Sequence, residues 1–368
     1  MKKIMLILLL TVCFFNVHSQ TECGTKAPPE AEYERSLAKM RMNPQSRSLP
    51  TKFIRVFIVN FLNNAGTDSS WTRQEINSEF QLAKDLLKPY DICLVLEGVD
   101  NISNSSLQNV DVSSETTIQA ASYHSNCLNI YLHKTLTLGT LGLNGYAYAI
   151  NSQKLSLSRG AITQRSMAHE VGHCFGLLHT FETAYGIECP DGSNSSTAGD
   201  KLTDTRATPD ADVYMASNTN SSCAYTGNAT IVCNGSTQAQ TYDPEITNIM
   251  CYGRRTCRQN FSNDQYSLMH SILSQPSWFT SNLYLFSSNF IFNQSVNYDA
   301  VFLSSYYIEI GDGSPSINTI LGFDSKQRFL SEGQIKIRTG TKISATSTRT
   351  KVVIKATSVC DEIINYSF

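Results

Sequence analysis

Histidine is scarce in this chain: 368 residues hold only seven. A dominant charge is absent too, with 29 Lys and Arg against 31 Asp and Glu and a formal net charge of −2. The basic residues are scattered, which excludes the electrostatic footprint of a nucleic-acid-binding domain. No run beyond the first twenty residues reaches the roughly 18 apolar positions that a membrane span requires. The sequence reads without an internal repeat or a heptad pattern, so neither a solenoid nor a coiled coil is expected. Against that scarcity, three of the seven histidines fall within HEVGHCFGLLH, residues 169–179.

The N-terminal residues bear on location. Lys2 and Lys3 precede an apolar run from Ile4 to Phe15, and Val17-His18-Ser19 lead to a cleavage point before Gln20. This predicts a secretory signal peptide over residues 1–19 and a secreted chain. Cys13 lies in the apolar run, and Val12 before it argues against a lipoprotein site. Loss of residues 1–19 removes two lysines and no acid, moving the formal charge from −2 to −4. Ten of the eleven cysteines remain, and export makes disulfides their default reading. About 350 mature residues suggest two domains.

Residues 20–50 are polar, with prolines at 28, 29, 44 and 50 and a charged helical patch from Glu30 to Arg41. Residues 20–47 are therefore expected to be a leader rather than a core segment. KFIRVFIVNF (52–61) predicts a buried strand. Thr72 and Glu75 have capping-box spacing and open a helix with Ile76, Phe80, Ala83 and Leu87 on one face. ICLVLEGV (92–99), LNIYLH (128–133) and the shorter GYAYAI (145–150) predict further strands, and a long helix is expected over 162–177. This order describes an α/β layer domain, assigned to residues 48–280. Residues 183–248 are rich in Ser, Asn, Thr, Asp and Gly, a loop-heavy stretch that needs a staple. Beyond residue 280, runs such as YYIEIGDG, GQIKIRTG and TKVVIKAT predict a small all-β domain over 281–368.

On a helix, residues four apart share a face, so His169 and His173 can offer two nitrogens to one ion. Ala168, Val171, Phe175 and Leu178 form the apolar stripe that buries the helix. Glu170 is poorly placed as a ligand on that face and well placed to touch a water on the metal. Gly176 can take left-handed angles, end the helix and bring His179 back as a third ligand. Three neutral nitrogens and an open position make the catalytic rather than the structural zinc arrangement. At this composition the full HExxHxxGxxH pattern arises by chance at roughly five in a million, which excludes coincidence.

These residues resemble the metzincin metalloproteases, whose signature is this motif followed by a methionine turn. Within that group the chain is most similar to the pappalysin family. HEVGHCFGLLHTFE resembles its helix, GDKLTDT (199–205) its GDxVxDTP segment, NIMCYG (248–253) its turn and FSNDQYSLM (261–269) the FTxxQxxRM that follows. The resemblance covers residues 50–275. It implies a mixed, twisted α/β (α+β) catalytic sheet with an active-site helix, Met250 as the floor of the zinc site, and Tyr252 near the metal or the reacting carbonyl. It also implies that substrate adds antiparallel to GYAYAI. Taken alone, Met250 reads as core and GYAYAI as an ordinary edge strand. Cys174, Cys251 and Arg206 depart from the family's aromatic, aspartate and proline.

The same resemblance suggests the disulfides Cys189–Cys233 and Cys223–Cys257. Cys93 and Cys127 border neighbouring strands and are a further candidate pair, and Cys174 and Cys251 are candidates to meet beneath the zinc. Cys23 in CGT is either a latency ligand on the zinc or a partner for Cys360. Asp191, Asp200 and Asp204 are candidate calcium ligands or a solvated acidic loop. The leading expectation is a secreted, monomeric zinc endopeptidase acting on proteins or peptides, with Glu170 as general base and acid and Tyr252 assisting. A secreted binding or adhesion protein on the same scaffold is the alternative. Where relatives that prefer basic residues after the cut bond carry an acid before the last cysteine, this chain has Thr256, preceded by Arg254 and Arg255. Apolar or acidic residues are expected there instead.

Overall fold

The computed structural model describes residues 21–42, 51–125, 127–209, 212–233 and 237–275, together with nine short strands between 283 and 356. The signal segment, Cys360 and the stretch 43–50 lie outside the described residues. Among those described, no helix is long and apolar enough to cross a membrane.

The chain opens with β1 (Thr21–Cys23) and α1 (Glu30–Met42), then β2 (Lys52–Leu62), α2 (Arg73–Leu87) and β3 (Ile92–Ser103). There follow β4 (Asn109–Asp111), α3 (Glu115–Ala121), β5 (Leu128–His133), β6 (Thr135–Leu138), β7 (Leu141–Ala147) and β8 (Lys154–Ser158). One sheet runs in the order β3-β2-β5-β8-β7-β6-β4, with β1 added beside β7. β2 is parallel to β3 and β5, and β5 to β8, whereas β7 is antiparallel to β8 and β6. The fold is therefore α/β with a mixed sheet. β2 is buried without a break from Ile54 to Phe61, as expected of an interior strand covered on both faces.

One face of the sheet carries the main core. Ile76, Phe80, Ala83 and Leu87 of α2 meet Ile54, Val56 and Ile58 of β2 there. The expected capping box is present: the Thr72 hydroxyl accepts from the Glu75 amide, and the Glu75 carboxylate accepts from the Thr72 amide. The other face holds Val59, Phe61, Tyr131, Leu143 and Tyr146 with Leu107, Val110 and Ile118. β8 was not expected from the sequence. KLSLS is short and half polar, yet it lies between β5 and β7, with Leu155 and Leu157 buried in the main core.

Several expectations need correction. α1 is not peripheral: Tyr33 and Leu37 are fully buried in the same core as α2. Cys93 is disulfide-bonded, but Cys127 keeps its thiol. The pair is excluded by strand order, because β2 separates β3 from β5. Two strand spacings come to about 10 Å, beyond the reach of a disulfide. Cys174 and Cys251 are also separate buried thiols.

After α5 (Asp212–Ser217), β9 (Thr230–Val232), β10 (Ala239–Thr241) and α6 (Asn263–Leu273), the strands are short. They are β11 (Leu283–Phe286), β12 (Phe290–Phe292), β13 (Ala300–Ser304), β14 (Tyr307–Ile310), β15 (Asn318–Leu321), β16 (Lys326–Ser331), β17 (Gln334–Ile337), β18 (Lys342–Ala345) and β19 (Lys351–Ala356). They form three parallel ladders, β11-β13-β16-β19, β12-β14-β17 and β15-β18. Ala300 faces Gln327, and Gln327 faces Val352, so the chain returns to the same ladder after about 25 residues. That periodicity was not read from the sequence because it lives in backbone pairing and not in repeated side chains.

Candidate metal centre

The helix that carries the histidines, α4 (Ser166–Cys174), is shorter than the span 162–177. Thr163 and Arg165 both have positive φ, 63° and 59°, so helical backbone cannot begin before Ser166. At the other end Gly176 takes φ 97°, and its amide donates to the His173 carbonyl. A side chain at Gly176 would also run into Ile272 of α6. The turn thus needs glycine twice over, and it swings His179 back toward the helix.

Nε2 of His173 lies 3.2 Å from Nε2 of His169 and 3.1 Å from Nε2 of His179. The Nδ1 atoms of His169 and His173 donate to the carbonyls of Ile249 and Leu177, each at 2.8 Å. A carbonyl can only accept, so both rings carry their proton on Nδ1 and leave Nε2 bare. Burial opposes protonation throughout: it holds His169 down to about 3, and His173 and His179 well below the usual imidazole range. Bare lone pairs this close repel one another unless a cation lies among them. The donor set therefore fits a metal ion, and soft-to-borderline nitrogen ligands suit zinc.

The Cys23 thiol joins the same group, with all four ligand atoms within 4.8 Å of one another. Its Sγ donates to Glu170 Oε2 at 3.4 Å and to the Thr25 hydroxyl at 3.2 Å. That hydroxyl also reaches Glu170 Oε2 at 3.2 Å and accepts from the Ala147 amide at 2.8 Å. Cys23 therefore sits at the histidines and carries no disulfide to Cys360. Burial and the Glu170 charge push its thiol well up. Thr25 was missed from the sequence, where nothing marks a leader threonine as a neighbour of Glu170.

Two glycines give the site its spacing. A Cβ at Gly145 on β7 would lie 2.9 Å from the Glu170 side chain, and one at Gly172 would lie 2.6 Å from Met250 Sδ. Met250 is fully buried with its sulfur pressed on the helix between the first two histidines. Tyr252 is buried beside them, its ring 5.1 Å from His179 and 5.8 Å from His169. Under Tyr252 lies the buried Arg258 guanidinium, 5.6 Å from the ring and donating to the Gly253 carbonyl.

Disulfides join Cys189 to Cys233 and Cys223 to Cys257, tying the loop-rich stretch to the segment after Met250. The three aspartates form no single ligand cluster among the described residues, although the Asp204 charge acts on Asp200. Asp191 is paired with Gln240, and Asp204 accepts from Ser262 and Asp264. Asp200 is fully buried and faces Glu188, which no sequence pattern had marked. One oxygen of each, Asp200 Oδ2 and Glu188 Oε2, has no partner. Burial pushes Asp200 up to about 7, and burial with the neighbouring Asp200 pushes Glu188 up to about 8.

A triad of histidines fit to bind a metal, with a carboxylate beside it and the strand β7 alongside, is the arrangement of a metalloprotease. Residues 114–274 match the peptidase family described as pregnancy-associated plasma protein-A. The chain is 23% identical over 277 residues to an extracellular metalloprotease of Colletotrichum graminicola, covering 69% of this chain and 90% of the relative. It is 24% identical over 278 residues to an extracellular metalloprotease of Neurospora crassa, covering 69% and 88%. Among solved structures, a Tannerella forsythia promirolysin mutant aligns with TM-score 0.46 and 15% identity, over 68% of this chain and 93% of that one. Metalloproteinase-II from Bacteroides fragilis aligns with TM-score 0.28 and 14% identity, over 46% and 56%. Those scores are too low to define the fold, which stands on the sheet and helices described above.

Proposed function

We propose that the protein is a secreted zinc-dependent endopeptidase made in a latent form, with His169, His173 and His179 holding the metal. The observation that carries this reading is the convergence of three Nε2 atoms beside Glu170, those of His169 and His173 bare. Zinc, when bound, supplies a Lewis acid that polarises a carbonyl and makes water acidic enough to give up a proton near neutral pH. Glu170 takes that proton and returns it to the leaving amine; a carboxylate adjoining the metal, and not bound to it, is suited to both steps. Gly145 leaves the room in which this carboxylate sits. Met250 supports the helix from below, and Tyr252 orients or stabilises the reacting carbonyl. Substrate peptide adds to β7 as a strand.

Latency follows from Cys23. Its sulfur takes the place that water and substrate need, and Thr25 ties the same strap to Glu170 and to the rim strand. Release requires a cut between about Met40 and Pro50. For calcium, Asp200 is the member of the expected set that retains support, now beside Glu188, which was not in that set; each is a buried carboxylate with an unpartnered oxygen. The binding-protein alternative is not favoured, because Glu170 and all three histidines are present.

Digestion of gelatin by the processed chain tests the reading. We expect cleavage that a chelator abolishes and added zinc restores. A zinc-loaded, processed chain that leaves gelatin and a random peptide library intact would sink it.

A further inference from the structure

We infer that α1 has its own docking surface on the catalytic body, and that this surface holds the leader in place after the link near residues 43–50 is cut, whether or not Cys23 contacts the metal. The inference rests on the reading of residues 20–47 as an inhibitory leader, and goes beyond it.

The contacts of α1 form a continuous set. Tyr33 and Leu37, one turn apart, are fully buried in the main core. The Tyr33 hydroxyl donates to the Asp200 carbonyl at 3.1 Å, and its ring stacks on Tyr185 at 5.7 Å. The Tyr185 hydroxyl donates to the Pro28 carbonyl at 2.7 Å. Along the edge of the same helix, Glu30 and Glu34 both accept from Lys201 Nζ, at 2.5 and 2.6 Å. Lys201 is itself buried and stands 4.8 Å over the Tyr185 ring. Ala27 and Met40, at either end, pack on the core.

Lys201, Tyr185 and the Asp200 carbonyl therefore read one pattern: an amphipathic helix with two acids a turn apart and an aromatic-leucine pair on its inner face. The excised leader is the occupant that meets it. By contrast β1 spans three residues and pairs with β7 at Thr21 and Cys23, with Gly24 and Thr25 adding bonds to Gly145 and Ala147. Cys23 closes the site, whereas α1 supplies residence. Cutting the link is then insufficient for activation, which also requires α1 to leave or be degraded.

The test uses the secreted chain, residues 20–368, carrying Glu170→Gln to stop self-digestion and a site-specific protease sequence placed between residues 43 and 50. After cutting, gel filtration with mass spectrometry shows whether the fragment travels with the body. We expect retention in this parent and equally with Cys23→Ser. With Glu30→Lys and Glu34→Lys, whose side chains are 59% and 40% exposed, we expect the fragment's Kd to rise about tenfold or more. Tyr33→Ala with Leu37→Ala should release it outright. Should that pair fail to fold, a synthetic peptide of residues 21–42 bearing the two lysines, titrated against the emptied body, reads the same difference. Release of the Cys23→Ser fragment on cutting, or unchanged affinity with both lysines, overturns the inference. Retention with full activity in the Glu170 chain would support the docking surface and refute latency instead.

Discussion

The histidine helix and the leader meet within a few ångströms of each other, yet they are encoded in opposite ways. Everything α4 brings is local: two histidines four residues apart, a glutamate between them, a glycine that returns the third. Everything the leader brings is long-range, since Cys23 reaches Glu170 across 147 positions. The first kind of encoding is robust to what surrounds it and visible in eleven letters. The second depends on the body already being folded, which makes it removable. A latent enzyme needs that division, with permanent parts specified locally and the temporary part held by contacts that can be undone.

The contrast can be tested most severely on the permanent side. His179→Ala should lose both metal and activity, read as zinc per chain by mass spectrometry and as peptide turnover. Retention of stoichiometric zinc would mean that another residue completes the site. Glu170→Gln should keep zinc and lower kcat by 10²–10⁴-fold, the usual contribution of a general acid-base group. On the temporary side, Cys23→Ser should give measurable activity before any processing, and wild-type activity in the uncut native chain would end the latency proposal. Thr25→Val should leak less, by a few-fold, because the thiol still covers the histidines.

Two smaller effects probe the loop behind the site. Asp200 and Glu188 hold protons in the fold at about 7 and 8, above the values of exposed carboxylates. Between about pH 4 and 8 the folded state therefore binds more protons than the unfolded one, and stability falls as pH rises through that window. With zinc kept saturating, the melting temperature should drop by several degrees across it, and added calcium should cancel the drop. A flat profile without calcium would remove the argument for a cation there. Finally, Arg258 under Tyr252 adds buried positive charge to a segment that already lacks an acid at Thr256. Cleavage profiling should show apolar or acidic residues after the cut bond, and arginine dominance would refute this.

The strongest elements of the fold were legible because their physics is local. β5 falls where LNIYLH predicts it, and α2 starts at its capping box. β8 escaped because its register depends on two neighbours absent from its own five letters. Glu188 escaped for the same reason: an acid next to a disulfide cysteine looks solvated until Asp200 is seen facing it. The leader was read as peripheral from its polarity, yet two residues in thirteen, Tyr33 and Leu37, fix α1 to the core. Average polarity conceals a narrow apolar stripe.

β1 runs parallel to β7, whereas a substrate is expected to run antiparallel to it. The strap thus lies backwards in the cleft, and while it stays there a molecule cannot cut its own link. If activation is autocatalytic, one molecule must serve another. The time course of activation should then be sigmoidal, with a lag that shortens as concentration rises and vanishes when a trace of processed enzyme is added. A secreted pool of this protein would stay silent when dilute and ignite when crowded.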